Sequence, residues 1–194
     1  MTMRPIPDED LPPGDLWVFG YGSLMWRPGF EYIAEFPACL TGEHRTLCVF
    51  SHYHRGTAER PGLVLGLDRG GTCQGTVFRV AENMRKVTLD YLREREQISG
   101  VYSEVLRSVS IESDARERVQ ALAFVVDRSH PQYAGTLTVE QQLHYVAHSH
   151  GISGANRDYV ISTVQALEAR GCTDVQLRRL VDLLHDEVPL QEAE

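Results

Sequence analysis

Two short stretches of this chain carry groups that could do chemistry on a small molecule. In Gly20-Tyr21-Gly22-Ser23-Leu24-Met25, two glycines close an apolar run and a hydroxyl follows them. Glycine permits positive φ, so such a loop can turn its N–H groups toward one point and seat an anion such as a carboxylate, with the Ser23 hydroxyl as an added donor. In Tyr91-Leu92-Arg93-Glu94-Arg95-Glu96, two glutamates offer a carboxylate that could exchange protons with whatever the loop holds.

Each stretch has a plainer interpretation. The loop opens like a GxGxxG dinucleotide fingerprint, but Met25 stands at the third glycine position and no clear βαβ unit follows; the GxSxG elbow of serine hydrolases is absent too. A tight turn that binds nothing is the alternative. Alternating charge of the RERE kind is usually a solvated helix face. On a helical wheel Glu94 and Glu96 each sit at an edge of the apolar stripe, so periodicity does not choose between them. The neighbours four residues back, Asp90 for Glu94 and Leu92 for Glu96, favour Glu96 as a partly buried carboxylate. A helix ending near Gly100 would place Glu96 at the negative end of the helix dipole, which raises a carboxylate pKa, while Arg93 and Arg95 act in the opposite sense. Tyr102, just beyond, is a candidate substrate contact, with a buried strand tyrosine as the alternative.

Other reactive side chains carry weaker patterns. Cys39, Cys48, Cys73 and Cys172 form no CxxC pair and read as buried thiols, with a nucleophilic cysteine as the minority reading. His144 and His148 share a helical face and His150 follows, yet there is no HExxH pattern, so no metal site is expected. His52 and His54 fall in a loop-like stretch.

These groups need a scaffold. Short β-branched or aromatic runs at Leu16–Phe19, Thr46–Phe50, Leu63–Leu67, Thr76–Val80, Val101–Ile111 and Val119–Val126 predict strands, the fifth with the period-2 pattern of Val101, Val105, Val109 and Ile111. A helix is predicted over Glu82–Gln97, with Met84, Val87, Tyr91 and Leu92 on its apolar face. The last third is helical: Thr138 with Gln141 and Thr173 with Gln176 fit capping boxes, and Asn156 is placed to cap a helix that stops at Gly171. Many strands with few intervening helices exclude a doubly wound sheet and indicate an α+β fold, the strands curling into a small barrel with helices outside it.

The chain has 194 residues, 42% hydrophobic and 24% charged, with a formal charge of −8. That balance suits one folded domain, here expected over residues 15–185, with a mobile Pro- and acid-rich arm at 1–14 and a tail at 186–194. The negative charge and scattered arginines argue against nucleic acid as a partner, and the absence of a signal-like start or a long apolar segment makes the cytosol the expected compartment, with no membrane association.

Four segments, WVFGYGSLMWRPGF, PGLVLGLDRGGTCQGTVFRV, YLREREQISGVY and HGISGANRDYV, occur in this order and together resemble the ChaC family of γ-glutamylcyclotransferases. The resemblance covers the chain from Asp15 to about Leu184. It implies a γ-glutamylcyclotransferase-like fold, a small mixed β-barrel with surrounding helices, and cleavage of glutathione to 5-oxoproline and cysteinylglycine. It also implies that Gly20, Tyr21, Gly22, Ser23, Leu24 and Met25 hold the γ-glutamyl group and that Glu96, at the end of the YLxxRE motif, is catalytic, which resolves the choice between the two glutamates. Asn156 and Tyr159 fit the late motif, where Ala155 replaces a frequent proline. No cofactor is expected for an intramolecular cyclisation. Alternatives are a cyclotransferase for other γ-glutamyl amines or amino acids, and a non-catalytic module associated with ion transport.

Overall fold

A computed structural model of the chain describes residues 5–96, 99–112 and 117–187. Among these, the strands β1 (Leu16–Gly20), β2 (Ala34–Ser51), β3 (Gly62–Val80), β4 (Tyr102–Ile111) and β5 (Arg118–Val126) form a closed barrel in the order β1-β3-β2-β4-β5. The barrel is mixed. β1 runs antiparallel to β3, with Leu16 opposite Val80 and Gly20 opposite Thr76, and parallel to β5 through Val18 and Leu122. β4 pairs antiparallel with β5 from Tyr102↔Val126 to Ser110↔Arg118, and with β2 at Leu40↔Val109. The expected α+β barrel is therefore observed.

The described residues group into two compact units, residues within 5–45 and 66–130 in one and within 46–65 and 131–187 in the other. In the first, helix α1 (Arg85–Glu96) packs Leu89 and Leu92 onto Leu16, Val18, Val80, Leu122 and Phe124. Full burial of a leucine contributes about 1.5–3 kcal/mol, so these two side chains fix the helix on the strands. The buried stripe is Thr88, Leu89 and Leu92; Val87, expected inside, is exposed, because the preceding turn at Glu82–Met84 is 3₁₀ and the α-helical phase starts at Arg85. Extending the stripe by four residues from Leu92 reaches Glu96. Of the arm expected at 1–14, residues 1–4 lie outside the described residues; beyond them Leu11 is buried, Arg93 bonds Ile6 O and Asp8, and Arg85 bonds Pro12 O and Gly14 O.

Two predicted strands, Leu63–Leu67 and Thr76–Val80, are one strand. β3 continues through Asp68–Gly75, where Gly70 and Gly71 take positive φ, so glycines that break the apolar pattern do not break the strand. Likewise Thr46–Phe50 is the end of the 18-residue β2.

The second unit contains helices α2 (Val139–Val146), α3 (Asn156–Glu168) and α4 (Val175–Glu187) and a hairpin of β6 (His150–Gly151) and β7 (Gly154–Ala155). The capping box of Thr138 and Gln141 is present on α2. On α4 the acceptor is the Asp174 carboxylate, which takes the Leu177 N–H at 3.1 Å, and not the expected Thr173 hydroxyl; a carboxylate at that end also complements the dipole. Asn156 does not cap α3. Its side chain, fully buried, accepts from Leu63 N–H at 2.6 Å and donates to Leu63 O at 2.8 Å, completing the backbone bonding of β3. The tail expected at 186–194 lies outside the described residues from 188 onward. No helix among the described residues is long and apolar enough to cross a membrane.

Asn156→Ala is expected to lower unfolding free energy by about 2–4 kcal/mol in urea titrations, since it strands a buried donor and acceptor of Leu63; a loss near zero would show that the amide is dispensable.

Candidate active site

The loop after β1 leaves the barrel at Gly20 and forms a 3₁₀ turn over Ser23–Met25. Neither Gly20 nor Gly22 takes positive φ, contrary to the expectation for this loop. Space at Gly20 is tight: a Cβ there would stand 3.1 Å from Leu24 Cβ and 3.3 Å from the Phe78 ring. The turn's own hydrogen bonds begin with Met25 N–H to Gly22 O at 2.9 Å, so the N–H groups of Ser23 and Leu24 at its head are not consumed by it. Tyr21, Leu24 and Met25 are buried and Ser23 is exposed. Behind the loop the buried Arg45 of β2 donates to Tyr21 O and, at 2.6 Å, to Gln74 O, with Met25 Sδ 3.8 Å away.

Glu96 is the last described residue of α1, and its side chain is 18% exposed, whereas Glu94 lies on the open surface. The weak preference for Glu96 as the partly buried carboxylate is thus met in the structure. Burial pushes its carboxyl above the ordinary range, and the positive charge of Arg95 acts against that shift without cancelling it. Arg93 takes no part, because it is bound by both oxygens of the buried Glu104 and by Asp8.

Arg95 joins the two stretches singled out above. Its Nε lies 3.1 Å from Glu96 Oε1 and its Nη2 donates to Ser23 Oγ at 3.0 Å, while Nη1 donates to Arg27 O at 2.6 Å, Pro28 O at 3.1 Å and Tyr91 Oη at 2.9 Å. Gly29, at φ +74°, leaves room for the Tyr91 hydroxyl where a side chain would collide with it. The RERE segment is therefore no solvated face: both arginines are structural partners. The expected opposing charge of Arg95 is observed, but its bond to Ser23 was not foreseen from the sequence, nor was the role of Arg45 behind the loop. The bond was hidden by charge alternation; the odd-position run Glu43, Arg45, Leu47, all buried, is the signal that would have placed Arg45 inward.

Tyr102 is half-buried against the apolar cluster under α1. Cys48, Cys73 and Cys172 are buried, and the Cys39 thiol is pushed up by burial and by Glu112, the reverse of what a nucleophile needs. His144, His148 and His150 are exposed, and no group of three or more potential ligands for a metal occurs among the described residues.

The fold is that of a yeast γ-glutamyl cyclotransferase specific to glutathione, whose crystal structure superposes with a TM-score of 0.79 at 21% identity over 93% of this chain and all of that one. The chain belongs to the ChaC-like family, whose model matches residues 16–187. Among curated relatives, it is 34% identical to the Escherichia coli glutathione-specific γ-glutamylcyclotransferase over 93% of this chain and 75% of that protein. It is 29% identical to human glutathione-specific γ-glutamylcyclotransferase 1, over 94% and 84%.

The raised carboxyl has a consequence for stability. A buried acid with an elevated pKa in the folded state costs stability because the unfolded chain ionises first, so the cost is absent below the unfolded value of about 4.3, grows as pH rises from there to the folded value and is constant above it. Glu96→Gln, which can still accept from Arg95, is expected to melt at or above the parent temperature at pH 7, with the difference closing toward about pH 4; a lower melting point at pH 7 would contradict this assignment.

Proposed function

We propose that this protein is a cytoplasmic glutathione-specific γ-glutamylcyclotransferase in which the loop Gly20–Met25 grips the γ-glutamyl end of glutathione and Glu96 carries the proton. The reading rests on the family membership, on the names of the bacterial, human and yeast relatives, and above all on one observation. The carboxylate with a raised pKa and the loop with unconsumed N–H groups meet on the same guanidinium.

The chemistry asks for positioning and proton transfer. The substrate's α-amine attacks its own γ-carbonyl carbon, the new C–N bond closes the five-membered lactam, and the bond to the cysteinyl nitrogen breaks. No protein nucleophile is needed. Holding amine against carbonyl can supply an effective molarity worth about 7–11 kcal/mol in the best cases. The α-carboxylate is the handle, and the amides of Ser23 and Leu24 with the Ser23 hydroxyl are the donors for it. Starting from the neutral amine, Glu96 takes the proton that the attacking nitrogen sheds as the C–N bond forms and returns it to the departing nitrogen, so it ends as it began. A free carboxylate near ~4.3 is poorly matched to an amine near ~8, and burial moves Glu96 in the direction that reduces the gap. Tyr102 stands as a further contact in this reading, on the strand that follows α1.

Incubation of the purified protein with glutathione is expected to release 5-oxoproline and cysteinylglycine, with much slower release of 5-oxoproline from γ-glutamyl-alanine. In Glu96→Gln, turnover is expected to fall by a factor of roughly 10²–10⁴, the usual contribution of a positioned acid/base, with the circular dichroism spectrum unchanged. Near-parental release by that variant would refute the mechanism, and equal rates on both substrates would favour a broader γ-glutamyl specificity.

A further inference from the structure

We propose that Arg95 is the positioning residue of this site, a single guanidinium that makes the Ser23 hydroxyl a donor and holds the Glu96 carboxylate beside it; the role presupposes Glu96 as the acid/base group. Arginine only donates hydrogen bonds. Ser23 Oγ, 3.0 Å from Nη2, is therefore an acceptor toward Arg95 and keeps its own O–H proton to donate elsewhere. Since Ser23 is exposed at the head of its turn, that proton is free to join the Ser23 and Leu24 amides on an incoming carboxylate. The hydroxyl is converted from a group of either character into a donor.

The same logic applies to the carboxylate. Nε stands 3.1 Å from Oε1 of Glu96, so the guanidinium holds the carboxylate that exchanges a proton with the substrate amine as an ion pair beside the Ser23 hydroxyl. Nε and Nη2 belong to one rigid plane, so the proton acceptor and the hydroxyl donor are held at a fixed mutual geometry. That plane is itself anchored, because Nη1 reaches Arg27 O, Pro28 O and Tyr91 Oη, and the Tyr91 ring lies 5.9 Å from the guanidinium carbon. Among the described residues, the charged and titratable groups bonded at this end of α1 are Arg95 with Glu96 and Tyr91, and Arg93 with Glu104 of β4 and Asp8. Among the described residues Arg95 alone bonds the Glu96 carboxylate. Its charge favours the ionised form in a setting where burial opposes it.

Charge and geometry can be separated. In the full-length protein, Arg95→Met removes both, Arg95→Lys keeps the charge but cannot span two partners with a planar fork, and Ser23→Ala removes only the hydroxyl. Three readouts are needed: 5-oxoproline release as a function of pH and glutathione concentration, melting temperature, and titration of the Glu96 carboxyl by ¹³C NMR. For Arg95→Met the acid limb of kcat/KM and the Glu96 titration are expected to move up together by roughly one pH unit or more, with a raised KM. Arg95→Lys is expected to restore the limb and to leave KM raised roughly tenfold, and Ser23→Ala to raise KM without moving the limb. A uniform loss of kcat in all three, with neither the limb nor the titration displaced, would overturn the proposal and leave Arg95 a structural tie. Should Arg95→Met not fold, the Lys and Ser23 variants decide it through the same split. A displaced Glu96 titration in Arg95→Met alongside an active Glu96→Gln would sink the proposed function and keep the bridge; the opposite pattern would sink the bridge alone.

Discussion

The end of α1 and the loop after β1 are tied to each other by one planar cation, and the candidate site depends on that tie. Arg95 reaches a carboxylate, a serine hydroxyl, a tyrosine hydroxyl and two backbone carbonyls from a side chain that is 23% exposed. Each of those acceptors belongs to a segment with its own anchor. Leu89 and Leu92 set the helix on the barrel, Arg45 holds the loop from behind through Tyr21 O, and the open space at Gly29 admits the Tyr91 hydroxyl. A ligand at the head of the 3₁₀ turn would thus meet groups whose positions are settled before it arrives, which is the condition for a large proximity effect.

The proposed role makes two conflicting electrostatic demands on Glu96. A carboxylate that must take a proton from an amine benefits from burial, but a carboxyl buried without a partner would stay protonated and have no basic oxygen to offer. Burial dominates and Arg95 moderates it, so the group sits above its ordinary range with a counter-charge beside it. The neighbouring Arg93 is kept out of this balance by its two-oxygen pairing with the buried Glu104. Adjacent arginines of the same motif therefore do unrelated work, one fastening the helix to β4 and the chain's opening segment, the other shaping the site.

Much of this was legible in the sequence. The period-2 runs, the helix before Gly100, the Thr138 capping box and the four-motif resemblance led to the barrel and to the pairing of loop with glutamate. What was not legible has a common cause: residues whose partners are distant in the chain. Gly70 and Gly71 look like a break between strands, and only the strands beside β3 carry it through. Asn156 has the composition of a helix cap, yet a backbone amide and carbonyl more than ninety residues away claim its side chain. Arg95 looks solvated because local periodicity contains no information about Ser23, seventy-two residues earlier. The conformation of the glycine loop was misjudged for the opposite reason, since Gly20 does not take positive φ and sits instead in a tight space beside Leu24 and Phe78.

The central claim is that the loop amides and the Glu96 carboxyl address opposite ends of one small γ-glutamyl group. A crystal structure of the protein with 5-oxoproline bound tests it directly. The account predicts the product's carboxylate on the N–H groups of Ser23 and Leu24, with the lactam N–H within hydrogen-bond distance of the Glu96 carboxyl. A product molecule seated elsewhere, or held with its lactam nitrogen turned away from Glu96, would contradict it.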